Sequence, residues 1–146
     1  MVDRDLLFRK LANLDEYVQQ VSEFSHTTVE QYRTDWKTQR IIERTLQMAI
    51  ETSVDIANHV IGDRRLRVPS TYADVFEVLG EAGLLEASLV ESLVAMTRLR
   101  NVLVHGYTRV DPVIIMRILG QNLDDFRRFA HAVLGWLQAS AAPGEP

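Results

Sequence analysis

The chain has 146 residues, 47% of them hydrophobic and 25% charged, with a formal net charge of −4 and no cysteine. That length supplies one packed core, and the composition is that of a folded domain rather than a disordered or membrane-embedded one. Without cysteine there are no disulfides or thiolate metal sites, and a reducing compartment is permitted; the acidic balance excludes a diffuse basic surface for duplex DNA, so any nucleic-acid contact must be local.

The opening "MVDRDLLFRKL" carries charges through its first turns, and no apolar run approaches the roughly eighteen residues of a membrane span. Both features predict a cytoplasmic protein with no membrane contact. From Asp3 to Phe24, Leu6, Leu7, Leu11, Leu14, Val18 and Val21 recur at three- and four-residue steps, the helical period. Thr27 or Thr28 then offers an N-cap, with Glu30 or Gln31 as the reciprocal partner of a capping box. The helix so begun runs to Gly62, a natural C-cap. It would have about 35 residues and a length of roughly 50 Å, which leaves room for a kink or break between Arg33 and Lys37.

The basic connector "GDRRLRVPSTY" follows, with Pro69 disfavouring helix immediately before it and Ser70 or Thr71 available to cap a short helix over about 72–82. Gly83 ends that helix. Leu85, Leu89, Leu93, Val94, Met96 and Leu99 mark another from Leu84 to about Leu103. Asp111 as N-cap and Pro112 at the first helical position open the last, which reaches about Gln138. No segment alternates with period two. The expectation is an all-α bundle of four main helices plus one short helix, one domain over 1–138 with a frayed tail over 139–146.

The stretch "RLRNVLVHGY", residues 98–107, concentrates polar groups around an apolar run. On an ideal helix Arg100 and His105 are about 140° apart in azimuth and about 7.5 Å apart in rise. Gly106 favours a helix end or local unwinding there, which would let the imidazole swing toward the guanidinium. Asn101 and His105 are an i,i+4 pair, so Asn101 can orient the ring. An imidazole that moves protons near neutrality and a guanidinium that grips phosphate oxygens suit phosphodiester cleavage through the RNA 2′-hydroxyl, without a metal or other cofactor. Two plainer readings stay open: His105 capping helix-end carbonyls, and Tyr107 as a packed aromatic.

"RNVLVHGY" resembles the R-N-x-x-V-H-x-Y signature of HepT-like toxins in the HEPN superfamily. "RIIERTLQMAIETSVDIANHVI", residues 40–61, is similar to that family's R-x-x-E-x-x-L-Q-x-A-I-E helix with its D-I-A-N-H close, and "PSTYADVFEVLGEAGLL", residues 69–85, to its Pro-x-x-Tyr-x-x-x-Phe-x-x-Leu segment. The resemblance covers about residues 1–138. It implies a metal-independent endoribonuclease, the toxin of a type VII-like toxin–antitoxin pair, whose partner is a minimal nucleotidyltransferase. Arg100 and His105 become the catalytic pair, Asn101 a supporting residue, and Tyr107 the acceptor of AMP. It further implies a homodimer whose two sites face each other, so that Arg and His can act with the mate's groups. Arg98, Arg100 and Arg109 would then make a basic cleft for RNA on an acidic protein.

Asp55 and His59, an i,i+4 pair, either line that cleft or form a buried hydrogen bond that fixes helix packing. "RRLR", residues 64–67, is either a solvated basic loop or a contact for RNA or partner. His26 and His131 receive no role. Two other classes compete with the ribonuclease: a non-catalytic helical subunit that docks a nucleotidyltransferase, and a purely structural helical dimer.

Overall fold

Asp3 opens the first helix by accepting the Leu6 N–H at 3.0 Å, which satisfies one of the four amides that a helix start leaves unpaired. The computed structural model describes residues 3–106 and 110–140 of the chain. Helix α1 spans Arg4–Ser22 and buries Leu7, Leu11, Leu14, Val18 and Val21, the stripe its apolar spacing marks out. It packs along the long helix α3, Trp36–Arg64, the most extensive helix pair in the fold.

Between them lies α2, Val29–Thr34, with the capping box realised by Thr28 and Gln31. The expected continuous second helix is therefore broken, and the break falls at Asp35. Asp35 has extended backbone angles, donates its own N–H to the Gln31 carbonyl, and accepts the Lys37 and Thr38 amides with its side chain. One residue thus ends α2 and caps α3. The buried Tyr32 stabilises the break by donating its hydroxyl to Glu43 on α3.

Gly62 does not end α3, contrary to the sequence expectation. The helix continues to Arg64, and Arg65 takes the left-handed conformation at φ 54°. Leu66 returns its N–H to the Ile61 carbonyl at 3.0 Å and packs on the core, so a hydrophobic anchor offsets the strain that glycine avoids.

The connector is also more structured than a solvated loop. Arg67 forks onto Asp74 at 2.7 and 3.0 Å and onto Glu81 at 2.8 and 2.9 Å, while the Ser70 N–H and hydroxyl donate to the same Asp74 oxygen. This network holds down α4, Asp74–Glu81, whose first amide is taken by the Thr71 hydroxyl. The guanidinium holds both carboxyls below their ordinary pKa values.

Helix α5, Ala87–His105, starts three residues later than Leu84, after the left-handed Gly83, and runs two past Leu103. The expected final helix is interrupted: α6, Pro112–Arg117, passes through a π-helical turn, Ile118–Asn122, into α7, Leu123–Ser140. Phe76 of α4 meets Phe129 of α7 edge-on at 5.6 Å, which ties the short helix to the last one.

Among the described residues every regular element is a helix, and there is no strand. Four long rods, namely α1, α3, α5 and the α6–α7 run, carry the short α4, as expected, and α2 is the split-off start of the second rod. One buried cluster runs from Leu7 to Leu137. Among the described residues no helix is long and apolar enough to cross a membrane.

Candidate active site

Leu89, Leu93, Met96 and Leu99 bind α5 to the core, which turns Arg98, Asn101, Val102, Val104 and His105 outward and leaves Arg100 on the flank facing α3. There Arg100 Nε donates to Glu51 Oε2 at 3.0 Å, and Nη2 lies 3.0 Å from the same oxygen. Nη1 donates to Asn101 Oδ1 at 3.3 Å, and the guanidinium carbon sits 4.5 Å from the centre of the Tyr72 ring. Arg100 is 24% exposed and Glu51 33%. The cation is therefore held on three sides yet still reaches solvent. N–H groups on its Nη side remain to meet phosphate oxygens.

Glu51 is itself steadied by the Gln47 carboxamide at 3.4 and 3.5 Å, one turn earlier on α3. Burial pushes the Tyr72 phenol above its ordinary pKa; Arg100 opposes that shift, and Glu51 and Asp55 add to it. Tyr72 is accordingly a neutral hydroxyl beside the guanidinium at physiological pH. Asp55, one turn beyond Glu51, pairs with Lys10 of α1, and His59 Nε2 stands 3.7 Å from its other oxygen. Both Asp55 and His59 are half-buried, with side chains 49% and 39% exposed, and at 3.7 Å they do not form the buried hydrogen bond that would simply lock helix packing.

The helix end expected at Gly106 is present, but the unwinding that would swing the His105 imidazole toward Arg100 and the Asn101–His105 contact are not. Helix α5 stays regular through His105, and the left-handed turn comes only at Gly106, φ 63°, whose N–H closes on the Val102 carbonyl at 3.1 Å. The imidazole is therefore not unwound toward Arg100 within one chain. The Asn101 oxygen serves Arg100 rather than the His105 ring. Arg98 is exposed, whereas Tyr107 and Arg109 lie outside the described residues. Among the described residues no group of three or more His, Cys, Asp or Glu is placed to hold a metal.

Glu51, Gln47 and Tyr72 received no role from sequence reasoning, although all three stand in the motifs quoted above. They are brought to Arg100 by the packing of α3 and of the connector before α4, which local spacing does not encode. A cavity of about 500 Å³ lined by Leu85, Leu89, Arg128 and His131 lies at the opposite end of α5 and shares no residue with this cluster.

The family model described as Ribonuclease HepT-like matches residues 14–133. The chain belongs to the HepT-like ribonuclease family. It is 26% identical over 129 residues to the mRNA nuclease HepT of Shewanella oneidensis, covering 88% of this chain and 96% of that protein. It is 23% identical over 128 residues to the tRNA nuclease HepT of Aphanizomenon flos-aquae, covering 88% and 87%. Among solved structures, the tri-AMPylated Shewanella oneidensis HEPN toxin in complex with an MNT antitoxin superposes with a TM-score of 0.83 at 26% identity, over 90% of this chain and 98% of that one.

Proposed function

We propose that the protein is a ribonuclease toxin that cleaves RNA without a metal, acts as a homodimer, and is silenced when a minimal nucleotidyltransferase transfers AMP to Tyr107. The observation that carries this reading is the held but solvent-reaching guanidinium of Arg100, set five residues before an exposed imidazole on the same helix in the family's R-x4-H pattern. Its relatives support it, one being an mRNA nuclease and another a tRNA nuclease.

In the proposed reaction a neutral imidazole takes the proton of the RNA 2′-hydroxyl and that oxygen attacks the adjacent phosphorus. The bond to the 5′-oxygen breaks, and a protonated imidazole supplies the leaving oxygen with its proton. The products are a 2′,3′-cyclic phosphate and a 5′-hydroxyl. Arg100 offsets the charge that gathers on the phosphorane oxygens. Because α5 holds Arg100 and His105 about 140° apart, the pair is completed across a dimer, each guanidinium working with the mate's histidine. Val102 and Val104, exposed beside Asn101 and His105, offer apolar surface for that contact.

Silencing follows from charge and bulk. The Tyr107 oxygen attacks the α-phosphorus of ATP and pyrophosphate leaves, so each transfer sets a phosphate and a nucleoside beside the RNA path. The partner reading rests on the solved relative, an AMPylated toxin in complex with its MNT antitoxin. Arg98 and Arg109 are assigned to RNA phosphates, and Asp55 and His59 to the cleft wall.

One observation favours a non-catalytic subunit instead: within one chain Arg100 is neutralised by Glu51 and turned away from His105. Incubating the protein and folded His105→Ala with total RNA in EDTA separates the two. Cleavage by the wild type alone, leaving 2′,3′-cyclic ends, is expected. If neither cleaves, and mass spectrometry finds Tyr107 unmodified, the binding subunit takes its place.

A further inference from the structure

Trp36, the first residue of α3, is 58% exposed and is the largest of the exposed hydrophobic side chains among the described residues. Two cations gather on it. The Arg40 guanidinium carbon lies 5.2 Å and the Lys37 Nζ 5.7 Å from the ring centre. Arg33 at the end of α2 and Arg44 one turn beyond Arg40 are also exposed. Of the carboxylates in this stretch, Asp35 is committed to capping α3 and Glu43 to the Tyr32 hydroxyl, while Glu30 faces solvent on α2.

The position of this group relative to Arg100 follows from helix geometry. At 100° per residue, Trp36, Arg40, Arg44, Gln47 and Glu51 fall within an arc of about 80°, a single stripe along α3. The stripe ends on the carboxylate that holds Arg100, about 22 Å from Trp36 at 1.5 Å per residue. Helices α3 and α5 run antiparallel, since Val60 neighbours Leu85 at one end and Glu51 meets Arg100 further on. Helix α6 in turn touches α2. The tip of α5 that carries His105 and the start of α3 that carries Trp36 therefore belong to the same end of the bundle.

We propose that Trp36, Lys37, Arg40 and Arg44 form a platform for single-stranded RNA running toward the Arg100 site, with a base stacked on the indole and phosphates met by the cations. An exposed π-face ringed by cations is the arrangement that binds single strands without reading their sequence. It also gives an acidic protein a local hold on a polyanion. The direction of the strand rests on the ribonuclease reading, whereas the binding does not.

The test uses the full chain and a fluorescent 2′-O-methyl RNA dodecamer, which has bases and phosphates but no free 2′-hydroxyl and so is not cut. By anisotropy, Trp36→Ala should weaken binding at least fivefold, the lower end of the loss of one stacked base. Trp36→Phe should recover most of it, and Arg40→Ala should weaken binding with a shallower salt dependence. Wild-type affinity in Trp36→Ala, or no binding by the wild type, overturns the platform. So does a change of molecular mass by light scattering in Trp36→Ala, which would assign this face to a second copy of the chain. A wild type that binds the dodecamer through Trp36 yet leaves ordinary RNA intact upholds the platform and refutes the ribonuclease; wild-type cleavage together with unaltered dodecamer binding in Trp36→Ala does the reverse.

Discussion

Glu51 of α3 and Arg100 of α5 stand 49 residues apart in the chain and meet at 3.0 Å through the Arg100 Nε. This pair, backed by the Tyr72 ring, fixes where the guanidinium can present its remaining N–H groups. An arginine left to sample its rotamers would spend little time in that pose. The pair is partly exposed, so it contributes little to stability, about 1 kcal/mol or less. Its value lies in placement.

Glu51→Gln is accordingly expected to lower kcat for RNA cleavage by roughly ten- to a hundredfold, the usual cost of a misplaced catalytic group, while changing the melting temperature little. Glu51→Asp should recover part of the loss. Tyr72→Phe, which keeps the ring over Arg100, should cleave better than Tyr72→Ala. Single-turnover kinetics beside thermal melts check all four, and an equal fall in stability and activity would reassign these residues to packing.

The Arg67 network gives a pH signature. The Asp74 and Glu81 carboxyls are held below their ordinary pKa values by Arg67, so their contribution is fully present above the unfolded values near 4 and is lost as pH falls through the folded ones. Thermal melts from pH 7 down to 2 should show a steep acid-side loss in the wild type. Asp74→Asn should melt lower at pH 7 and lose less on acidification. Arg67→Ala should destabilise without weakening RNA binding, because this arginine is already committed within the fold.

How much of this was legible in the sequence depends on the range of the interaction. Leu7, Leu11, Leu14, Val18 and Val21 announce α1 by period alone, and all five are buried. The Thr28 capping box and the Asp111–Pro112 start are equally local, and both form. The break at Asp35 was only bracketed, because an aspartate is a cap in one context and a surface residue in another. Arg65 replaces Gly62 as the helix end since Leu66 finds a core site, a tertiary fact. The π-helical turn at 118–122 has no period of its own to read. The same divide runs through the site: Arg100, Asn101 and His105 lie in one motif, but what Arg100 touches is decided by α3 and by the connector before α4.

Tyr107→Phe removes only the hydroxyl that is proposed to accept AMP. The variant should keep ribonuclease activity and stay active when incubated with the cognate nucleotidyltransferase and ATP, while the wild type falls silent and gains the mass of AMP. Silencing of the variant would move the modification to another residue.

The central claim is that Arg100 of one protomer works with His105 of its mate, and mixing defective chains tests it most directly. Arg100→Ala and His105→Ala chains, differently tagged, are co-expressed and the mixed dimer is purified through both tags. One of its two composite sites then keeps an intact arginine and an intact histidine, so about half of the wild-type cleavage is expected where each parent dimer has little. A mixed dimer as inactive as its parents would contradict the claim and return the site to a single chain.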